Sequence, residues 1–232
     1  MTVSQTAPPR PAQRRRRGRR DSRGRSVASG FGELLITAGV LLLLFCIYQL
    51  FYSNVTADRA QHAVAGKLRE RWSAPAVVRA DEGRPAPGDA FALIRIPRLG
   101  SDWVKPVVQG VAPEELAKGV GHYPGSALPG QVGNFAVAGH RATHGEPFRD
   151  LNRVRAGDTV VVETRRAVYT YRVDSREIVL PAAVEVVDPV PHRPGVRPTR
   201  RLITLTTCNP RWASYQRLIV YGHLVSTQAK PA

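Results

Sequence analysis

The sequence predicts a mainly β domain, a sandwich or closed barrel of about eight short strands, carried behind one N-terminal transmembrane helix. Three observations carry that expectation. An apolar run fills residues 34–52, long enough for a helix to cross a bilayer core of about 30 Å. From Phe91 onward the texture changes to short runs of β-branched and aromatic residues separated by turn formers. Within that region only "APEELAKG", residues 112–119 with Pro113 near its first turn, reads as a helix.

In chain order, residues 1–30 come first, with nine Arg and one Asp, a net +8 out of the chain's +16. The stretch "RPAQRRRRGRRDSRGR" has no apolar residue able to seed a core, so a disordered cytoplasmic tail is expected. No aromatic or base-reading element accompanies these arginines, which argues against nucleic-acid binding.

Residues 31–52 follow as the transmembrane helix, with arginines crowding one flank and Tyr48 and Tyr52 near the other. The positive-inside rule then keeps the N-terminus in the cytoplasm and places the rest of the chain outside the cell. "NVTA", ending at Ala57, is a passable signal-peptidase site. However, the apolar run exceeds the roughly 7–15 residues of a signal h-region, which favours an uncleaved anchor.

Residues 53–89 read as an extracytoplasmic stalk and linker, a short helix over 53–72 followed by the Pro- and Gly-punctuated "SAPAVVRADEGRPAPGDA". The globular domain spans 90–228. Its expected strands are 91–99, 105–110, 133–140, 158–164, 167–173, 176–180, 201–208 and 217–225. In 167–173, Tyr169, Tyr171 and Val173 alternate with Val168, Thr170 and Arg172, as a half-buried strand requires. The joints "RR" and "DS" suggest consecutive hairpins. Residues 181–200, with five prolines and no periodicity, are long for a connection inside a compact domain and read as a wall of a binding groove.

Chemistry concentrates around Cys208. The chain has two cysteines, and Cys46 lies in the membrane segment, so it cannot pair with a thiol outside. An unpaired thiol in an oxidising compartment is a liability unless it is used. Cys208 also sits where a strand becomes a loop, facing a possible cleft. A nucleophilic thiol needs a base, because at its ordinary pKa of about 8.5 little thiolate exists near pH 7. Of six histidines, His140 ends the strand "NFAVAG" in a position matching that of the cysteine, and it is the expected acid/base. "HRATH" lacks the glutamate of a zincin and follows a strand, so no metal is expected there. Arg217 opens the next strand. In an antiparallel pair it shares one end of the sheet with Cys208, from which it could donate to an oxyanion.

"TLTTC" at 204–208, "NFAVAGHR" at 134–141 and "RLIV" at 217–220 together resemble the sortases, membrane-bound cysteine transpeptidases of Gram-positive surfaces. The order His, Cys, Arg matches, and the resemblance covers 90–225. "GHYPGSALPGQVGNFAVAGHRATHGEPF" with "TCNPRWASYQRLIV" is most similar to class E, the housekeeping type.

The resemblance implies an eight-stranded sortase β-barrel with short helices. It implies that Cys208 attacks the Thr–Gly bond of an LAxTG- or LPxTG-type sorting signal, forming a thioacyl enzyme. His140 would serve as acid and base, and Arg217 would stabilise the oxyanion. It further implies transfer of sorting-signal-bearing surface proteins to a peptidoglycan or lipid II amine, with no cofactor. Some relatives bind calcium, but no acidic cluster here supports it. Tyr123 and Thr207 are the expected substrate-side residues, Tyr123 for the choice of Ala over Pro in the signal. Two alternatives differ in kind: a pilin-polymerising sortase, and a tethered β-domain with no enzymatic role.

Overall fold

The computed structural model describes residues 21–73 and 84–231. Helix α1 spans Asp21–Ser73, 53 residues without a break. Within it, Ser29–Tyr48 has a mean hydropathy of 2.2 and is long and apolar enough to cross a membrane. The chain divides into two compact units, one ending at Tyr48 and the other beginning at Gln49. The expected tail lies outside the described residues as far as residue 20. From Asp21 the chain is already helical, ten residues before the predicted start of the membrane segment, and the predicted stalk continues the same helix as far as Ser73, while residues 74–83 of the predicted linker lie outside the described residues. No proline interrupts it before Pro75, so nothing forces a break.

The second unit is a closed eight-stranded barrel with strand order β1-β2-β3-β4-β7-β8-β6-β5. The strands are β1 Ala90–Arg95, β2 Val104–Gln109, β3 Val120–His122, β4 Gly133–Ala138, β5 Thr159–Glu163, β6 Ala167–Val179, β7 Arg201–Asn209 and β8 Gln216–Ala229. Closure removes the free edges that an open sheet would expose. The core holds Ile94, Val107, Phe135, Val137, Val162, Tyr171, Ile203, Leu205 and Val220, all at most 1% exposed. The predicted helix is the single turn α2, Pro113–Leu116.

Two strand expectations are corrected. Asp174 and Ser175 do not turn: β6 runs straight through them, with its register against β8 shifting between Val173 and Ser175. A bulge absorbs the extra residue, and Asp174 accepts from His223 Nδ1 on β8 at 2.7 Å. The "RR" joint does turn, closed by the Thr164 amide donating to Ala167 O at 2.9 Å. Sequence reading also missed β3, three residues too short to show alternation. Its Gly121 is required by close approach, since a Cβ there would lie 2.4 Å from the Gly110 carbonyl oxygen.

The second half of α1 lies on the barrel. Ala65 and Leu68 are buried against Leu93, with Trp72 packed beside them. With Gln61 they recur at helical spacing and form one stripe. Lys230 Nζ sits 4.5 Å from the centre of the Trp72 ring, a cation–π contact.

Candidate active site

β7 is the strand that organises the site, because both of its neighbours deliver a functional side chain. On one side it pairs antiparallel with β8, and Cys208 stands directly opposite Arg217. On the other it pairs parallel with β4, Ala138 opposite Thr206. The pairing continues past β4: the Gly139 amide donates to Thr206 O at 3.1 Å, and Thr207 Oγ1 donates to Gly139 O at 2.7 Å. That register sets His140 beside Cys208. Neighbouring strands lie about 4.8 Å apart, so the backbones of residues 140, 208 and 217 fall within about 10 Å.

Cys208 is free and half-buried at the strand end. His140 is also half-buried, its ring stacked on His144 with centroids 4.7 Å apart. Burial first, and then His144, hold its imidazole below the ordinary histidine pKa. Its Nε2 is buried and has no partner among the described residues. A neutral imidazole with an uncommitted nitrogen suits a group that must take and return a proton. Arg217 Nη1 donates to the carbonyls of Ser214 at 2.7 Å and Gln216 at 2.9 Å. The β7–β8 loop thereby grips one end of the guanidinium and leaves its other donors for a ligand.

The two expected substrate-side residues sit differently in the structure. Tyr123, just past β3, is half-buried, and its hydroxyl lies 3.1 Å from Thr206 Oγ1. The ring therefore crosses β4 toward the strand that ends in the cysteine. Thr207 is 3% exposed, and its hydroxyl donates to Gly139 O, which joins β7 to the histidine strand.

Sequence reading passed over Arg141. Although only 7% exposed, it donates through Nη1 to Cys208 O at 3.1 Å and Asn209 Oδ1 at 2.6 Å. Nη2 reaches Asn152 Oδ1 at 3.1 Å. Burial, then Arg211, lower its pKa from the ordinary arginine value, opposed by Asp150 and Cys208. A buried guanidinium thus ties the histidine-bearing loop to the cysteine. Among 30 arginines in the sequence, nothing marked it out except its place next to His140.

Three other histidines are accounted for by packing or hydrogen bonds. His122 is fully buried, 2.8 Å from Gln109 Oε1 and 3.0 Å from Ala127 O. Burial is the main cause that pushes its pKa down to about 4, so it is a neutral core imidazole. His192 pairs with Glu177 and His223 with Asp174. Among the described residues no group of three His, Cys, Asp or Glu could hold a metal, and His140 and His144 stack face to face rather than converging on a point.

Comparison with known proteins agrees with this geometry. The family model for the Sortase domain matches residues 94–225. Sortase SrtE1 of Streptomyces coelicolor is 40% identical over 227 residues, covering 94% of this chain and 63% of its own length. The chain thus spans less than two thirds of that relative. The structure of sortase E from Streptomyces avermitilis is 48% identical over 63% of this chain and 97% of that one, with a TM-score of 0.57. The crystal structure of Sortase E1 from Streptomyces coelicolor, with a tripeptide in its active site, is 41% identical over 64% of this chain and 98% of that one, with a TM-score of 0.56. Barrel topology, strand-end site and these matches coincide over the same residues: the chain belongs to the sortase family of cysteine transpeptidases, alongside the class E sortases.

Proposed function

We propose that this chain is a membrane-anchored transpeptidase that cleaves a C-terminal LAxTG- or LPxTG-type sorting signal between Thr and Gly and joins the protein to a cell-wall amine, peptidoglycan or lipid II. The observation that carries the reading is register: Arg217 opposite Cys208 on one side of β7, and the strand leading to His140 in parallel register on the other. Three groups with complementary roles share one rim.

In the first step neutral His140 takes the Cys208 thiol proton as the sulfur attacks the Thr carbonyl carbon, and the developing oxyanion accepts hydrogen bonds from the free donors of Arg217. The C–N bond breaks as His140 protonates the glycine nitrogen, leaving a thioester and a released C-terminal peptide. In the second step neutral His140 takes the proton of an incoming amine, which attacks the thioester and returns the thiol. Tyr123, lying over β4 beside the cysteine strand, would meet the signal residue before the x position and favour Ala over Pro. Residues 181–200 would form a groove wall, held to the barrel by His192, whose Nε2 lies 2.6 Å from Glu177 Oε1 of β6.

The charge of residues 1–30 and the apolar stretch of α1 support an anchor over residues 31–52 with the N-terminus in the cytoplasm. Residues 53–89 would then join it to a catalytic domain, 90–228, outside the cell. The full chain in lipid nanodiscs, given LAxTG and LPxTG reporter peptides with and without an amine, tests the reading. Amine-dependent transfer that favours LAxTG and disappears in a folded Cys208→Ala variant is expected. Cleavage that persists without Cys208, or none by the folded wild type, defeats it.

A further inference from the structure

The second half of α1 does more than lie on the barrel; it meets the loop that carries His140. Asn54, Asp58 and Gln61 share one helix face. Gln61 is fully buried, and its Nε2 donates to His144 O at 2.8 Å, while its Oε1 has no partner among the described residues. A buried amide with one end unsatisfied costs stability and calls for a reason. Asn54 Nδ2 donates to Glu146 Oε1 at 2.8 Å, and its Oδ1 accepts from the Gly145 amide at 3.3 Å. Asp58 pairs with Lys105 of β2.

The segment so held is strained. His144, Gly145 and Glu146 are three consecutive residues in the left-handed region, with φ of 52°, 76° and 46°. For two residues with a Cβ that conformation is costly and persists only where the surroundings impose it. The imposing contacts come from the helix: a Cβ on Gly145 would lie 3.0 Å from Gln61 Nε2 and 3.1 Å from Asp58 N. On the other side, Glu146 Oε2 accepts from Arg211 of the β7–β8 loop at 2.7 Å. The outcome of this conformation is that the exposed His144 ring lies flat on His140, 4.7 Å away at 25°.

We propose that the second half of α1 belongs to the catalytic apparatus: Gln61 and Asn54 hold His144 in its left-handed conformation, and the His144 ring holds the imidazole of His140 in place. His144, Gln61 and Asn54 are thus positioning residues. The inference rests on His140 being the acid/base of the proposed reaction, and it gives the anchoring helix a part in the chemistry beyond tethering.

The test uses the full chain in nanodiscs with the LAxTG reporter peptide and amine. Four proteins are compared: wild type, Gln61→Met with Asn54→Ala, His144→Asn, which tolerates the left-handed backbone but lacks the ring, and His144→Phe, which keeps a ring to stack. Misplacing an acid/base group acts on the chemical step. The expected result is a fall in kcat of about tenfold in the first two variants with KM within about twofold, and near-complete rescue by Phe. A purely structural role would lower the melting temperature without that split or that rescue. The His144 pair changes an exposed side chain, so it decides the matter even if the buried Gln61 substitution unfolds the chain. An active wild type with the His144→Asn kcat unchanged, or with Phe as impaired as Asn, overturns the positioning role alone. A folded wild type inert towards both reporter peptides overturns the functional reading and this one with it.

Discussion

Replacing Arg141 by methionine removes the guanidinium that ties the histidine loop to the cysteine, and the structure supports an estimate of the cost. Four acceptors lose their donor: Cys208 O, Asn209 Oδ1, Asn152 Oδ1 and, at 3.5 Å, Arg149 O. A buried acceptor left unpaired costs about 1–3 kcal/mol. Against this stands relief of the guanidinium's own desolvation, and methionine refills much of the volume. Since the loss involves four acceptors, one of them held only at 3.5 Å and Asn152 exposed to water, a net destabilisation of about 3 kcal/mol is expected. For a unit of this size that lowers the melting temperature by about 6–12 °C. Arg141→Lys keeps the charge, but its point-like ammonium cannot span Asn152 and Cys208 together, so it should recover at most half. Thermal unfolding of the full chain in detergent, followed by near-ultraviolet circular dichroism, is the assay. A shift below about 2 °C for methionine, or lysine as stable as arginine, would refute the reasoning.

Three further expectations follow from the same contacts. The folded pKa of His122 is near 4 against an ordinary 6.5, so between those values the unfolded chain binds a proton that the folded one refuses. Stability is then full above about pH 6.5 and is lost as pH falls toward 4, by about 2 kcal/mol between pH 7 and 5. His122→Gln should flatten that pH profile of the melting temperature, and an unchanged profile would remove His122 as the cause. Gly121→Ala sets a Cβ 2.4 Å from the Gly110 carbonyl and should lower stability by about 2–3 kcal/mol as β3 is pushed off its neighbours, read by urea unfolding. Arg217→Lys should lower kcat about a hundredfold or more with the melting temperature nearly unchanged, because its hydrogen bonds go to the exposed Ser214 carbonyl and to the part-buried carbonyl of its neighbour Gln216; retention of rate would deny it the oxyanion.

Much of this site was legible in the sequence because its chemistry sits at strand ends. The alternation of Tyr169, Tyr171 and Val173 marked a half-buried strand, and the spacing of Cys208 and Arg217 put both at one end of an antiparallel pair, where the structure sets them directly opposite each other. What escaped depended on contacts between distant segments. Arg141 looks like any other strand-end arginine until the chain closes and buries it behind Cys208. Gln61 and Asn54 read as polar residues of a stalk, and only the docked helix shows them holding residues 83 and 91 positions away. The Asp174–Ser175 joint looked like a turn because both residues favour one. Pairing with β8 overrode that local preference, which costs less than ending a long strand pair.

Register also explains why the site is built across β4, β7 and β8 rather than within one loop. Side chains alternate in direction along a strand, so a slip of one residue between β7 and β8 would turn Cys208 to the opposite face and leave Arg217 beside Thr207 or Asn209. The barrel opposes that slip at both ends of the pair. Near the site, Asn209 Nδ2 donates to Gln216 Oε1 at 3.0 Å across the hairpin mouth. At the far end, Gly222 lies between Ile203 and the backbone of β6, and a Cβ there would meet Arg172 O at 2.5 Å. Any side chain brought to that position by a slip would collide with β6, so the glycine far from the chemistry helps keep thiol and guanidinium opposite each other. Gly222→Ala should therefore impair more than stability: the fraction that stays folded should also lose rate, since strain at Gly222 is relieved by moving β8, and β8 carries Arg217.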